Sequence, residues 1–234
     1  MKKYIIAIRF NSDQEVATRC KVDCLSEEWI RKRLEIFNLC TRKSLEMQTN
    51  QDFIAVISVH QSSEELVEKI LKEYPPLPPN IVFTSKRNKV IEEYIKDVDK
   101  VFISSLDSDD MYHPSFMQYL HAYNEKEDEG LIIFTKGYVY NLYTGIIDAY
   151  ESPSPPFYTQ IFKVKEYLES YRYYHFIRHW YMQRFRHTII STPMYMIILH
   201  DKNSYGNYKN IAPRVFGTEQ VLSNWQIIKQ QYHL

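Results

Sequence analysis

The stretch VFISSLDSDDMYH, from Val101 to His113, joins an apolar run to a cluster of acids. The run VFI is typical of a buried strand, and Asp107, Asp109 and Asp110 come at its end. Three carboxylates within four positions repel one another. A chain that collects them at the end of a strand needs something there to neutralise them.

Strands and helices alternate before this stretch. The apolar segments Lys3–Phe10, Asp52–His60 and Asn80–Ser85 predict three strands ahead of a fourth, KVFISSLD. A helical pattern follows each strand, and the first of these helices has Ser26 as its predicted N-cap. Repeated β–α units with uninterrupted apolar strands predict an α/β fold with a mostly parallel sheet flanked by helices.

The pattern changes after Gly130. LIIFTKGYVYNLYTGIIDAY predicts strands joined by a glycine turn, and PMYMIILH predicts a late strand. A long helix is expected from about Lys165 to Arg186, and a closing helix over Thr218–Gln230. Since neither a repeat nor a low-complexity linker interrupts the chain, the sequence predicts one domain with an elaborated C-terminal half.

Composition excludes several classes of protein. The 29 basic and 29 acidic residues balance, which disfavours a general nucleic-acid binder. The five glycines form no GxGxxG or GxxxxGK, so dinucleotide-binding and P-loop chemistry lack their usual motifs. The three cysteines lack zinc spacing and are expected to be reduced thiols. Without a signal-peptide pattern or a run of about 18 apolar residues, we expect a soluble or peripheral protein.

Two interpretations of the acidic cluster stay open. Aspartate often caps a helix, but Pro114 places the predicted cap near His113, beyond the acids, and a cap needs only one acceptor. Alternatively, Asp107 and Asp109 can direct oxygens at one divalent cation, with substrate phosphates completing its coordination. Ligands of open α/β sheets bind outside the carboxyl ends of the strands, where this cluster lies.

The ends of the first and third strands carry candidates for nucleotide binding. Basic side chains there can neutralise phosphate, and a phenylalanine can stack on a base; otherwise these residues are ordinary surface. The candidates are Arg9, Phe10 and Asn11 after the first strand, and Ser85, Lys86 and Arg87 after the third.

Five short segments occur in the order and spacing of a bacterial family of predicted rhamnosyltransferases, and LDSDD resembles the D-x-D motif of GT-A-fold nucleotide-sugar glycosyltransferases. The resemblance covers most of the chain. Ser104 and Ser105 depart from it, because a basic residue is expected there. The segments are IRFN (8–11), SLEMQTNQDFIAVI (44–57), LDSDD (106–110), KGYVY (136–140) and LHDKN (199–203).

This resemblance implies a GT-A-like, Rossmann-like domain over 1–234, with a nucleotide-binding half (1–129) and an acceptor-side half (130–234). It implies that Asp107 contacts the nucleotide ribose or the metal. Asp109 and Asp110 would then hold Mn²⁺ or Mg²⁺ on the donor diphosphate. His200, after the late strand, would complete the metal site; the other interpretation of His200 is a polar strand-end residue.

The expected activity is metal-dependent transfer of a sugar, rhamnose in the family's terms, from a nucleotide-sugar donor to a polysaccharide or lipid-linked acceptor. Asp148, Glu151 and Glu219 are the candidate bases that would deprotonate the acceptor. The alternatives are a sugar-phosphate nucleotidyltransferase and a non-catalytic carbohydrate- or nucleotide-binding domain. We also expect Asp109→Ala to keep the fold, because it relieves repulsion between like charges.

A basic aromatic segment, SYRYYHFIRHWYMQRFRH (170–187), remains. It predicts an amphipathic helix with either a solvated basic face or a surface for acceptor phosphate or an anionic membrane. The expected location is therefore the cytoplasm, with peripheral contact to the inner face of the membrane as the further alternative.

Overall fold

The computed structural model describes residues 1–12, 23–126, 129–153, 155–169, 186–200 and 226–234. The strands in chain order are β1 (Lys2–Arg9), β2 (Ile54–Ser58), β3 (Ile81–Thr84), β4 (Lys100–Asp107), β5 (Met111–Tyr112), β6 (Leu131–Phe134), β7 (Lys136–Asn141), β8 (Ile147–Glu151), β9 (Tyr158–Lys163), β10 (His187–Ile190) and β11 (Tyr195–Leu199).

The helices are α1 (Glu27–Ile36), α2 (Arg42–Glu46), α3 (Glu64–Leu71), α4 (Arg87–Ile95), α5 (Phe116–Ala122) and α6 (Val164–Glu169). A π-helical turn, Phe37–Thr41, joins α1 to α2. The predicted N-cap of α1 is confirmed, since the Ser26 hydroxyl accepts a hydrogen bond from the Trp29 N–H. A last helical segment covers 226–232.

Seven strands form a large sheet in the order β10-β6-β9-β4-β1-β2-β3. Neighbours β1, β2, β3 and β4 pair in parallel, β9 runs antiparallel to β4 and β6, and β10 is parallel to β6. The predicted α/β class with a mostly parallel sheet is confirmed.

Both faces of this sheet are buried. Ile6 and Ile8 of β1 pack with α1 residues such as Leu34 on one face. Ile5, which points to the other face, packs with Ile91 and Ile95 of α4. Alternate side chains of one strand therefore enter two cores, which explains why the strand sequences are apolar without interruption.

A second sheet of four strands, β5-β11-β7-β8, lies after the acidic stretch. Strand β5 pairs antiparallel with β11, through Met111 opposite Met196, and β11 pairs in parallel with β7. The predicted glycine turn joins β7 to β8, with Gly145 at φ 69°. The chain thus leaves the large sheet at Asp107 and enters the small one at Met111, so the acids lie where the two sheets meet.

The sequence did not predict β5 or β10, which are short strands of two and four residues. Of the long helix expected from Lys165, only α6 lies among the described residues, and 170–185 lie outside them. Within the described ranges, no helix has both the length and the apolar character that crossing a membrane requires.

Candidate active site

The turn after β4 brings Asp109 into contact with two residues from distant parts of the chain. Its Oδ2 lies 2.9 Å from Nε2 of His200, which follows β11, and 2.5 Å from Nη1 of Arg33 on α1. All three side chains are buried. Because an ionised carboxylate only accepts hydrogen bonds, His200 donates through Nε2 in this contact. Part of the negative charge of the acidic cluster is therefore neutralised by the protein itself, through the guanidinium of Arg33 and the N–H of His200.

The ionisation of Asp109 reflects this pairing. Burial alone would raise the pKa of Asp109, but the charge of Arg33 and the hydrogen bond from His200 outweigh burial and hold the pKa below its ordinary value. Asp109 is therefore a carboxylate at neutral pH, and it can serve as an anionic ligand or as the partner of a cation.

Asp110 behaves in the opposite way. Its Oδ1 accepts a hydrogen bond of 2.9 Å from the backbone N–H of Ile198 on β11. Burial, followed by the negative charges of Asp109 and Asp107, raises the pKa of Asp110 well above its ordinary value. The hydrogen bond to Ile198 ties the acidic turn to the small sheet.

Asp107 lies at the accessible edge of the cluster. Its side chain is 44% exposed, and its Oδ1 is 3.9 Å from Nη2 of Arg9, the residue opposite it on β1. Arg87, at the start of α4, is close enough to Arg9 for their positive charges to interact; burial and then that repulsion lower the pKa of Arg87. Two arginines that converge beside an accessible carboxylate favour an anionic ligand such as a diphosphate.

The structure places Phe10 and Asn11 inside the protein. The Phe10 ring is 6% exposed and packs edge-on against Trp29 and Phe83, a placement that favours a core role over stacking on a base. The Asn11 amide donates to the Cys24 carbonyl and accepts from the His60 N–H, so it joins neighbouring loops.

Ser85 and Lys86 lie in the turn between β3 and α4. The backbone N–H and hydroxyl of Ser85 donate to the Glu64 carboxylate at 2.7 and 2.6 Å, which positions the turn that carries Arg87. Lys86 is exposed, and its N–H donates to the Thr84 hydroxyl. Glu64, which belongs to no sequence motif, therefore holds the turn that contains Ser85, Lys86 and Arg87.

The candidate bases are separated from one another. Asp148 and Glu151 both belong to β8, and side chains three positions apart on a strand point to opposite faces. Glu151 lies 3.8 Å from Lys136 through its Oε2. It also lies near Tyr195, whose pKa is raised by burial and then by charges that include Asp110 and Glu151. Glu219 lies outside the described residues.

A family described as "Putative rhamnosyl transferase" matches residues 7–210. The chain belongs to this family. The membership confirms the resemblance drawn from IRFN, LDSDD and the other segments. No protein of curated function matches the chain.

Solved structures resemble this rhamnosyl transferase family member in fold. S. aureus TarS 1–349 in complex with UDP-GlcNAc is 11% identical, with a TM-score of 0.48, over 88% of this chain and 61% of that one. The chain therefore spans less than two thirds of the TarS chain. The inositol-1-phosphate CTP transferase from T. maritima is 13% identical, with a TM-score of 0.36, over 90% and 94% of the two chains. The order and pairing of the strands confirm the expected α/β architecture.

The side chains around Asp109 in the family member decide whether it could hold Mn²⁺ or Mg²⁺. Asp109 and His200 place a carboxylate oxygen and an imidazole nitrogen side by side, and Mn²⁺ accepts both as ligands once the nitrogen is deprotonated. Burial raises the pKa of nearby Cys40 to about 12, which disfavours its thiolate form in the metal-free protein. Among the described residues, no three His, Cys, Asp or Glu side chains group as a metal site. The pair fits a cation whose remaining ligands are phosphate and water, as is common for Mg²⁺.

Sequence reasoning missed Arg33 and Tyr158. Arg33 is one of several charged residues on α1, and only the fold shows that it points inward to Asp109. Tyr158 begins β9 beside β4; burial raises its pKa, and the charges of Arg9 and Asp107 act on its hydroxyl. Neither residue belongs to a motif, so only pairing of β9 with β4 could have indicated Tyr158.

Proposed function

We propose that the protein transfers a rhamnosyl group from a nucleotide-sugar donor to a polysaccharide or lipid-linked saccharide, with Mn²⁺ or Mg²⁺ as cofactor. The observation that carries this proposal is the contact between Asp109 and His200 beside the accessible Asp107. Residues 1–129 and 130–234 meet at this junction through the pairing of β5 with β11, which supports one domain.

The donor diphosphate is assigned to the edge where β1 and β4 end. Arg9 lies there opposite Asp107, and Arg87 adds a second positive charge from α4. Guanidinium groups bind phosphate through charge-assisted hydrogen bonds. Asp107 is placed to accept a hydrogen bond from a ribose hydroxyl, because its side chain is 44% exposed and its oxygens are hydrogen-bond acceptors.

When bound, the cation would supply Lewis-acid stabilisation of the leaving diphosphate. Asp109 and His200 are the residues that would hold it. Arg9 and Arg87 stabilise the charge that develops on the phosphates, and Asp110 keeps the turn in position through its hydrogen bond to Ile198.

Glu151 is the base that we assign to the acceptor hydroxyl. Its side chain is 39% exposed and belongs to the small sheet. Both Glu151 and Asp110 lie near Tyr195. A carboxylate there can take the proton while the acceptor attacks the anomeric carbon. Asp148 on the opposite face and Glu219 are the remaining candidates.

The acceptor side is assigned to residues 130–234, including the basic aromatic segment 170–187. Apart from residues 186 and 187, that segment lies outside the described residues. Its arginines, histidines and aromatic rings support contact with an acceptor phosphate or the inner face of the membrane, and a cytoplasmic location.

Calorimetric titration of UDP, dTDP and GDP, each with and without Mn²⁺, tests the proposal. We expect one nucleotide to bind at least about tenfold tighter with Mn²⁺. The matching nucleotide-rhamnose should then release that nucleotide when a saccharide acceptor is present. Asp97→Asn, which changes an exposed acid, is the control that should keep both the metal-assisted nucleotide binding and the release of nucleotide.

Three results would support a different function. Manganese-independent binding of all three nucleotides contradicts the metal-assisted donor site. Release of pyrophosphate from CTP and a sugar phosphate indicates a nucleotidyltransferase. Nucleotide binding without turnover of any nucleotide sugar indicates a binding domain.

A further inference from the structure

Arg33 is a buried cation at the atom that the proposed metal needs. Its side chain is 9% exposed, and Nη1 lies 2.5 Å from Asp109 Oδ2. His200 Nε2 contacts the same oxygen at 2.9 Å. A buried arginine is retained at low cost only when a carboxylate pairs with it, so Arg33 and Asp109 stabilise each other in the metal-free protein.

A metal ion on Asp109 changes this balance. A divalent cation and a guanidinium that share one carboxylate oxygen repel each other strongly in a partly desolvated site. We propose that Arg33 is an internal competitor: it occupies Asp109 in the metal-free protein and is displaced when the metal binds. This inference rests on the metal-dependent function proposed above and adds a residue that sets the affinity for the metal.

The surroundings of Arg33 give the displaced side chain a place to go. A cavity of about 170 Å³ is lined by Arg33, Trp29 and Lys32 of α1, among other residues. The Arg33 guanidinium carbon already lies 5.2 Å from the centre of the Trp29 ring, and Phe10 packs edge-on against that ring. A guanidinium is stabilised over an aromatic face, so Arg33 can leave Asp109 and remain in contact with Trp29.

Competition has a measurable consequence. The apparent affinity for a metal equals the intrinsic affinity multiplied by the fraction of protein whose Asp109 is not held by Arg33. Arg33→Gln should therefore bind Mn²⁺ about tenfold more tightly than wild type. The measurement is the electron paramagnetic resonance signal of free Mn²⁺ during titration of the protein, alone and at a fixed concentration of UDP. Arg31→Gln is the matched control, because Arg31 lies on the same helix but pairs with Glu27 and Glu73 at the surface.

Arg33→Gln removes the positive charge that pairs with the buried Asp109 carboxylate, and this change could unfold the protein. A second variant is therefore needed. Arg33→Lys keeps a cation without the planar fork, and we expect about twofold to threefold tighter Mn²⁺ binding. If Arg33→Gln does not fold, Arg33→Lys decides the question. Arg31→Gln should stay within about twofold of wild type.

The outcomes separate the two proposals. If neither wild-type protein nor the Arg33 variants bind Mn²⁺, with or without UDP, both the metal-dependent function and the competition are overturned. Wild-type protein that binds Mn²⁺, together with an Arg33 variant whose affinity is unchanged or weaker, overturns the competition alone. Tighter binding in the Arg33 variants and not in Arg31→Gln supports both.

Discussion

His200 Nε2 lies 2.9 Å from Asp109 Oδ2, so the residue that follows the last strand of the small sheet contacts the turn that follows β4 of the large sheet. The contact depends on β5, whose pairing with β11 sets the acidic turn beside the end of β11. The candidate site is therefore built by the junction of the sheets and not by one motif.

The first prediction concerns stability at this junction. Asp109→Asn should lower the free energy of unfolding by about 3 kcal/mol, because the buried Arg33 loses its carboxylate. The sequence alone had suggested the opposite, that removing one of three acids relieves repulsion. Because Asp109 is paired with Arg33 and His200, we now expect a loss of stability instead. Urea unfolding without metal measures the change.

Two comparisons sharpen the Asp109 prediction. The exposed acid variant Asp97→Asn should stay within about 0.5 kcal/mol of wild type. In the double variant Asp109→Asn with Arg33→Gln, the free energy of unfolding should fall by less than the sum of the two single losses, because the second change removes the unpaired cation. Additive losses would show that the Arg33–Asp109 contact contributes nothing.

The second prediction concerns His200 as a ligand. His200→Ala should weaken Mn²⁺ binding at least about tenfold, since one of two adjoining donors is removed. Titration of Mn²⁺ at fixed UDP measures this. His233→Asn is a suitable control: His233 is exposed at φ 52°, a conformation that asparagine tolerates. Equal affinities in wild type and His200→Ala would remove His200 from the site.

The third prediction concerns Arg9. Arg9→Gln should weaken binding of the preferred nucleoside diphosphate about tenfold and leave binding of the nucleoside alone unchanged, because a guanidinium at the end of β1 recognises phosphate. Parallel titrations of diphosphate and nucleoside measure the difference. An equal loss for both ligands would place Arg9 against the base or the ribose instead.

The sequence predicted the parts of this site that follow from periodicity. Apolar strands in β–α units place Arg9 and Asp107 at neighbouring carboxyl ends, and the structure sets them opposite each other on β1 and β4. Sequence did not predict which polar residues turn inward. Arg33 looks like its neighbours Arg31 and Lys32 on α1, and only packing of that helix on the sheet distinguishes it.

The same limit explains Phe10 and Asn11. Both follow β1 as the pattern predicted, but a residue after a strand end can point to the ligand or to the loops. Phe10 meets Trp29 and Phe83, and Asn11 meets the His60 loop, through tertiary contacts that no local pattern encodes. Strand β5 escaped prediction because two residues are too short a window for any periodicity.

The fourth prediction is a pH dependence away from the site. The Glu125 carboxylate accepts hydrogen bonds from the ammonium groups of Lys2 at 2.5 Å and Lys100 at 2.7 Å. Burial opposes ionisation of Glu125, but hydrogen bonds from Lys100 and Lys2 outweigh it and lower the pKa to about 2 from 4.5. Because the folded-state pKa is depressed, this stabilisation is present above about pH 4.5 and is lost as the pH falls from there to about 2.

Glu125→Gln should therefore lower the free energy of unfolding at pH 7 by about 2 kcal/mol, less than the full linkage value because both lysines are partly exposed. The difference in the free energy of unfolding between variant and wild type should be smaller at pH 3 than at pH 7. Urea unfolding at pH 7, 5 and 3 measures it, with the exposed Glu68→Gln as the control. A gap that stays constant across these pH values would contradict the lowered pKa.

The fifth prediction tests the small sheet that carries His200. An alanine methyl at Gly137 would lie 2.5 Å from both the ring and the carbonyl oxygen of Tyr195. Tyr195 cannot yield easily, since its buried ring stacks on Phe157 at 3.8 Å and its hydroxyl donates to the Thr135 carbonyl. Gly137→Ala should lower the free energy of unfolding by about 2 kcal/mol or more, measured by thermal or urea unfolding.

Gly137→Ala should also weaken Mn²⁺ binding, because β11 leads from Tyr195 to the metal ligand His200. Gly130→Ala, whose methyl would meet nothing within 4 Å, should change neither property. If the two alanine variants are equally stable, β7 and β11 lie farther apart than in this structure, and the placement of His200 at Asp109 loses its support.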